Sequence, residues 1–92
     1  MADVVIKLKI MPENVEIDLN TLKDACKQEI ERLGGHVHSI EEQPIAFGLK
    51  ALIYTFLADE KIGSDIEKLE SCLKEKVGIG SVDIIDVRRA FG

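Results

Sequence analysis

His36 and His38 stand two residues apart, the spacing that turns both imidazoles to one face of a strand. A zinc-type site needs a third or fourth ligand held at fixed geometry. Glu41 and Glu42 are the only acidic side chains close by in sequence, so the pair reads as solvated edge-strand histidines with no metal. The 17 Asp and Glu residues are scattered over helix faces and turns. None of them pairs with another inside an apolar stretch, the setting that tunes a carboxyl as a general acid. Ser39, Ser64, Ser71 and Ser81 lie outside any nucleophile elbow. Gly78 and Gly80 precede a strand rather than open a helix, so they form no phosphate-binding loop. Cys26 and Cys72 belong to no CxxC pair and fall beside apolar helix positions, as buried free thiols do. These residues predict neither covalent catalysis nor a cofactor.

What remains is surface. The segment Gln43–Gly63 holds the longest apolar run, the only tyrosine and two of the three phenylalanines. Its first part is a corner, Pro44-Ile45-Ala46-Phe47-Gly48, and its last part an acidic turn, Asp59-Glu60-Lys61. Phe47 is either a core aromatic beside a turn glycine or a ring displayed at the end of a sheet for a partner. A second cluster, Arg88-Arg89, is a basic pair on an acidic chain. It is either simply solvated or able to reach an anion or a metal-bound phosphate on a partner.

Composition narrows the class. A chain of 92 residues makes one domain, 1–92, with a modest core. Hydrophobic residues at 46% and charged residues at 32% mark a soluble globular protein. No apolar run reaches the roughly 20 residues that span a bilayer. The start, MADVVIKLKI, lacks a basic region before an apolar block, so a cytoplasmic protein is expected. A net charge of −5 opposes general attraction to phosphate backbones, and no exposed aromatics recur at strand spacing. Direct nucleic-acid binding is therefore not expected.

Elements that position these residues follow from periodicity. Val4–Met11 alternates, with Ile6, Leu8 and Ile10 on one face and Lys7 and Lys9 on the other. Pro12-Glu13-Asn14 ends this strand, and Val15–Asp18 is a linker that can pack back on the core. Asn20 or Asp18 caps a helix over about 20–33, where Leu22, Cys26, Ile30 and Leu33 recur at three- and four-residue spacing. Gly34-Gly35 stops it. His36–Ile45 is a polar edge strand. Leu49–Leu57 is apolar on both faces, which places it centrally in a sheet. Ser64 and Glu67 form a capping box for a second helix over about 64–76, with Glu70 and Lys74 as an i,i+4 pair. Ser81–Val87 is the last strand.

The order β-α-β-β-α-β splits into two strand–helix–strand halves. Right-handed crossovers give an α+β ferredoxin-like sandwich: a four-stranded antiparallel sheet, order 4-1-3-2, with two helices on one face.

The corner Pro44–Lys50, the strand after it, Ala58–Gly63 and Ser81-Val82-Asp83-Ile84 together resemble the elongation factor 1-beta family in its short archaeal form. The resemblance covers essentially the whole chain and is sharpest over 44–63 and 81–89. It implies guanine nucleotide exchange on elongation factor 1-alpha, the GTPase that carries aminoacyl-tRNA, by a factor that makes and breaks no covalent bond. In the family's eukaryotic members an aromatic residue of the corner packs into the GTPase, and Phe47 matches it. A lysine near their C-terminus reaches the magnesium and phosphate site. Arg89 takes that position, with Arg88 beside it, so a planar fork replaces a compact ammonium. The resemblance makes Pro44, Phe47, Gly48, Asp59, Glu60, Lys61, Asp83, Arg88 and Arg89 the partner-binding residues.

The mechanism so implied puts the Phe47 ring and the arginine tail on the same side of the sandwich, working together at one nucleotide pocket. The free chain is expected to be a monomer. The alternative is a ferredoxin-like regulatory module that binds a small molecule.

Overall fold

A computed structural model describes residues 3–59, 61 and 66–90. The chain order is β1 (Asp3–Pro12), α1 (Leu19–Arg32), β2 (His36–Pro44), β3 (Lys50–Asp59), α2 (Ile66–Lys74) and β4 (Ile79–Ala90). The sheet order is β2-β3-β1-β4, and all three neighbouring pairs are antiparallel. This is the ferredoxin-like arrangement the periodicity predicts.

Alternation in β1 puts Ile6, Leu8 and Ile10 at 0% exposure on the helix side. Cross-strand partners share a face, so β3 adds Leu52, Tyr54 and Phe56 beside them. Leu22, Cys26 and Ile30 of α1 and Leu69 and Leu73 of α2 close the core from above. Each fully buried Leu or Ile contributes about 2 kcal/mol of transfer free energy. The Tyr54 hydroxyl does not enter this layer unsatisfied, since it donates to the Lys23 carbonyl oxygen at 2.7 Å.

Asp18 caps α1. Its carboxylate accepts from the Asn20 N–H at 3.0 Å and from the Thr21 hydroxyl at 2.9 Å. At the other end Gly34 turns the chain at φ 100°. Gly35 follows against the core, where an added Cβ would meet Ile30 Cγ2 at 2.7 Å. The expected capping residue of α2, Ser64, lies outside the described residues. The Glu70–Lys74 pair on that helix is present at 2.8 Å.

Most element boundaries differ from the sequence expectation by one to three residues, the most at the end of β4. β4 begins at Ile79 and runs to Ala90, longer at both ends than Ser81–Val87. It pairs with β1 along the whole of that strand, from Asp3 to Pro12. β2 stops at Pro44, whose ring nitrogen has no N–H for a ladder. Of the linker, Ile17 packs on the core while Val15 stays 62% exposed.

Candidate functional site: two ends of one sheet

The β2–β3 connection is a tight hairpin. The Leu49 N–H donates to the Ala46 carbonyl oxygen at 3.2 Å, and the Ile45 N–H to the Leu49 carbonyl oxygen at 2.7 Å. Phe47 at φ 61° and Gly48 at φ 78° occupy its two central positions. Positive φ at both makes this a type I′ turn, the form whose twist suits a hairpin. Glycine tolerates the second position freely. Phenylalanine in the first is strained, at a cost of about 1 kcal/mol or more. Its ring is 95% exposed, so no packing offsets that strain. Of the two sequence readings of Phe47, the structure selects display over burial.

Arg88 and Arg89 do not share that end. β1 runs antiparallel to both β3 and β4, so β3 and β4 run parallel to each other. The hairpin tip precedes β3, whereas the arginines close β4. Arg89 lies opposite Val4, which on its other side lies opposite Ala58. Lys50, at the foot of the tip, is eight residues back along β3. At a rise of ~3.3 Å per residue the two groups stand roughly 26 Å or more apart. The expectation of one shared side is therefore wrong, and the strand directions are the reason.

The arginines are not a pair in space either. Consecutive strand residues point to opposite faces. Arg88 lies opposite Val5 on the open face of the sheet, and its Nε meets Asp86 Oδ2 at 2.8 Å. Arg89 belongs to the helix-side face. A bulge sets this phase: Leu8 opposes Ile84 but Lys7 opposes Asp86, so Ile85 is the extra residue.

The remaining candidates divide between the ends. Pro44 and Gly48 frame the Phe47 tip and are exposed. Asp59, opposite Asp3, ends β3 at the arginine pole, and Lys61 just beyond it is exposed. Glu60 lies outside the described residues. Asp83 sits between the poles on the open face, opposite Lys9. His36 and His38 are both exposed, and among the described residues no group of three His, Cys, Asp or Glu is placed to hold a metal.

Two features at the Phe47 pole carry no periodic signal in the sequence. Val77 in the α2–β4 turn is 95% exposed, and Val15 in the β1–α1 loop is 62% exposed. The α2–β4 turn is tethered beside them. Lys76 Nζ meets Glu29 Oε2 at 3.3 Å, and Glu29 also accepts from Arg32. These hydrogen bonds, Arg32's first, hold the Glu29 carboxyl down at about 2 against the cost of its burial. Nearby in the core, burial pushes the Cys26 thiol up to about 11.

Residues 5–90 match the EF-1 guanine nucleotide exchange domain family. The chain belongs to the elongation factor 1-beta family. Elongation factor 1-beta of Methanosarcina barkeri is 43% identical over 90 residues, covering 97% of this chain and 99% of the relative. That of Methanosphaera stadtmanae is 44% identical over 89 residues, covering 97% and 98%. Membership in this family makes the chain a translation elongation factor of the nucleotide-exchange type. Among solved structures, the ACT domain from GTP pyrophosphokinase of Chlorobium tepidum superposes with a TM-score of 0.65 at 13% identity, covering 90% of this chain and 99% of that one. The designed protein Foldit4 superposes at 0.63 with 19% identity, covering 98% of both. These two show the fold alone. Among the described residues no helix is long and apolar enough to cross a membrane.

Proposed function

We propose that this chain is the guanine nucleotide exchange factor for elongation factor 1-alpha, releasing GDP so that GTP can rebind. It works in the cytoplasm as a single exchange domain, 1–92, and as a monomer when free. The observation that carries this reading is the family match over residues 5–90. The displayed Phe47 supplies a contact point consistent with it.

The mechanism is linkage. GDP and Mg²⁺ stabilise one arrangement of the GTPase's switch segments. A protein that binds the rearranged form better must weaken nucleotide binding by the same factor. No covalent bond changes. Phe47 anchors the complex, contributing about 2 kcal/mol or more when its ring is buried on the partner. Arg88 and Arg89 act at the metal and phosphate site, with Asp59 and Lys61 at the same pole and with Glu60, which lies between those two in sequence; Asp83 contacts the partner from the open face.

Separation of the two ends changes how this must work. A knob and a cation ~26 Å apart cannot enter one small pocket. The partner is instead gripped at two places, and the rigid sheet between them sets their spacing.

The experiment is release of fluorescent GDP from elongation factor 1-alpha with and without this chain. Acceleration at micromolar protein is expected, and an unchanged release rate removes the reading. The regulatory-module alternative gains nothing from the ACT-domain likeness, which at 13% identity speaks to fold only.

A further inference from the structure

Three loops meet at the pole that carries Phe47: the β1–α1 loop, the β2–β3 hairpin and the α2–β4 turn. Each displays an apolar side chain to solvent. Phe47 and Val77 are 95% exposed and Val15 is 62% exposed. The loops are joined, not merely close. A Cβ on Gly48 would stand 3.9 Å from Val15 Cγ1, and one on Gly78 would stand 3.3 Å from Ile17 Cδ1. The Glu13 N–H donates to the Gly78 carbonyl oxygen at 2.8 Å. The turn before Gly78 is pinned through Lys76 to buried Glu29. Val77 is therefore held outward by a fixed turn.

Exposed acids border this apolar end: Glu13 and Glu16 in the β1–α1 loop and Glu75 in the α2–β4 turn. None of them takes part in the ion pairs found among the described residues. Carboxylates left in water around an apolar centre match a partner surface of the opposite sign, an apolar recess rimmed by Lys and Arg.

We propose that Phe47 does not dock alone, and that Val15 and Val77 complete a three-point apolar contact that seats in a basic-rimmed recess of elongation factor 1-alpha. The inference rests on the exchange-factor reading and adds Val77 as a second anchor. Two strand spacings of ~4.8 Å separate β3 from β4, so the anchors span at least about 10 Å. That width suits a shallow recess rather than a slot for one ring. The acidic border steers the approach and weakens with salt.

The test is the concentration of this chain that gives half-maximal acceleration of fluorescent GDP release, measured for wild type, Val77→Ser, Val77→Thr, Phe47→Ala and the control Gln28→Ser. Gln28 is exposed on α1 and belongs to none of these loops. An unchanged thermal midpoint for the Val77 variants shows that the fold is kept. The proposal expects the Val77 variants to raise the half-maximal concentration by about fivefold, with the saturating rate unchanged and Gln28→Ser without effect. Val77 variants within about twofold of wild type, beside a clear loss in Phe47→Ala, overturn the proposal and leave the exchange reading standing. A wild-type chain that accelerates nothing overturns both.

Discussion

Phe47 and Arg89 stand at opposite ends of the same sheet, because β3 and β4 run parallel and the hairpin tip precedes one while the arginine closes the other. Groups so far apart should contribute independently. In a double-mutant cycle of Phe47→Ala and Arg89→Ala on GDP release, the two effects should add to within about 0.5 kcal/mol. A coupling above about 1 kcal/mol would place both groups in one contact.

Phe47 is also a point where function and stability pull apart. A type I′ turn favours Asn before Gly, and Phe47 sits where that Asn belongs. Phe47→Asn should stabilise the free chain by about 1 kcal/mol in urea unfolding while losing most of the exchange activity. A less stable Phe47→Asn would mean that the ring supports the fold.

Glu29 makes stability depend on pH. Its folded-state pKa, about 2, lies below the ordinary 4.5. A depressed carboxyl stabilises the fold above its unfolded pKa, and that contribution is lost as pH falls through 4.5 toward 2. The urea midpoint should therefore fall more steeply between about pH 5 and pH 3 in wild type than in Glu29→Gln. Parallel profiles for the two proteins would contradict this role for the Glu29 carboxylate.

The two thiols should differ in reactivity. Cys26 is fully buried with its pKa pushed up to about 11, so almost none of it is thiolate near neutral pH. Cys72 on α2 is half-buried. In the native protein an aromatic disulfide reagent should modify Cys72 first, and Cys26 only as fast as the fold opens. Equal rates would show that the α1 side of the core opens readily.

The sequence carried the architecture because its periodicities are unmixed. Leu49–Leu57 is apolar on both faces, and in the sheet Leu52 and Tyr54 meet the helices while Ala51 is covered on the open side. Asp18 was one of two possible caps, and its hydrogen bonds decide between them. The placement of the arginines was also within reach. Two strands each antiparallel to β1 must run parallel, so the end of β4 lies far from the loop before β3. Other features were hidden. Nothing in the residue types marks the bulge at Ile85, yet it decides that Arg88 joins the open face. Whether Phe47 points in or out depends on turn dihedrals that no pattern of apolar residues encodes. Val77 was missed because a single valine between Lys76 and Gly78 belongs to no helix or strand repeat. Its signal is an apolar side chain placed in a turn.

Linkage, the core of the account, is reciprocal and can be measured from the other side. The affinity of this chain for elongation factor 1-alpha should be determined by calorimetry with the GTPase nucleotide-free and again with it saturated by GDP and Mg²⁺. The account predicts tighter binding to the nucleotide-free form, by the same factor by which this chain weakens GDP. Equal affinity for the two forms would contradict it, since a partner that does not distinguish them cannot drive exchange.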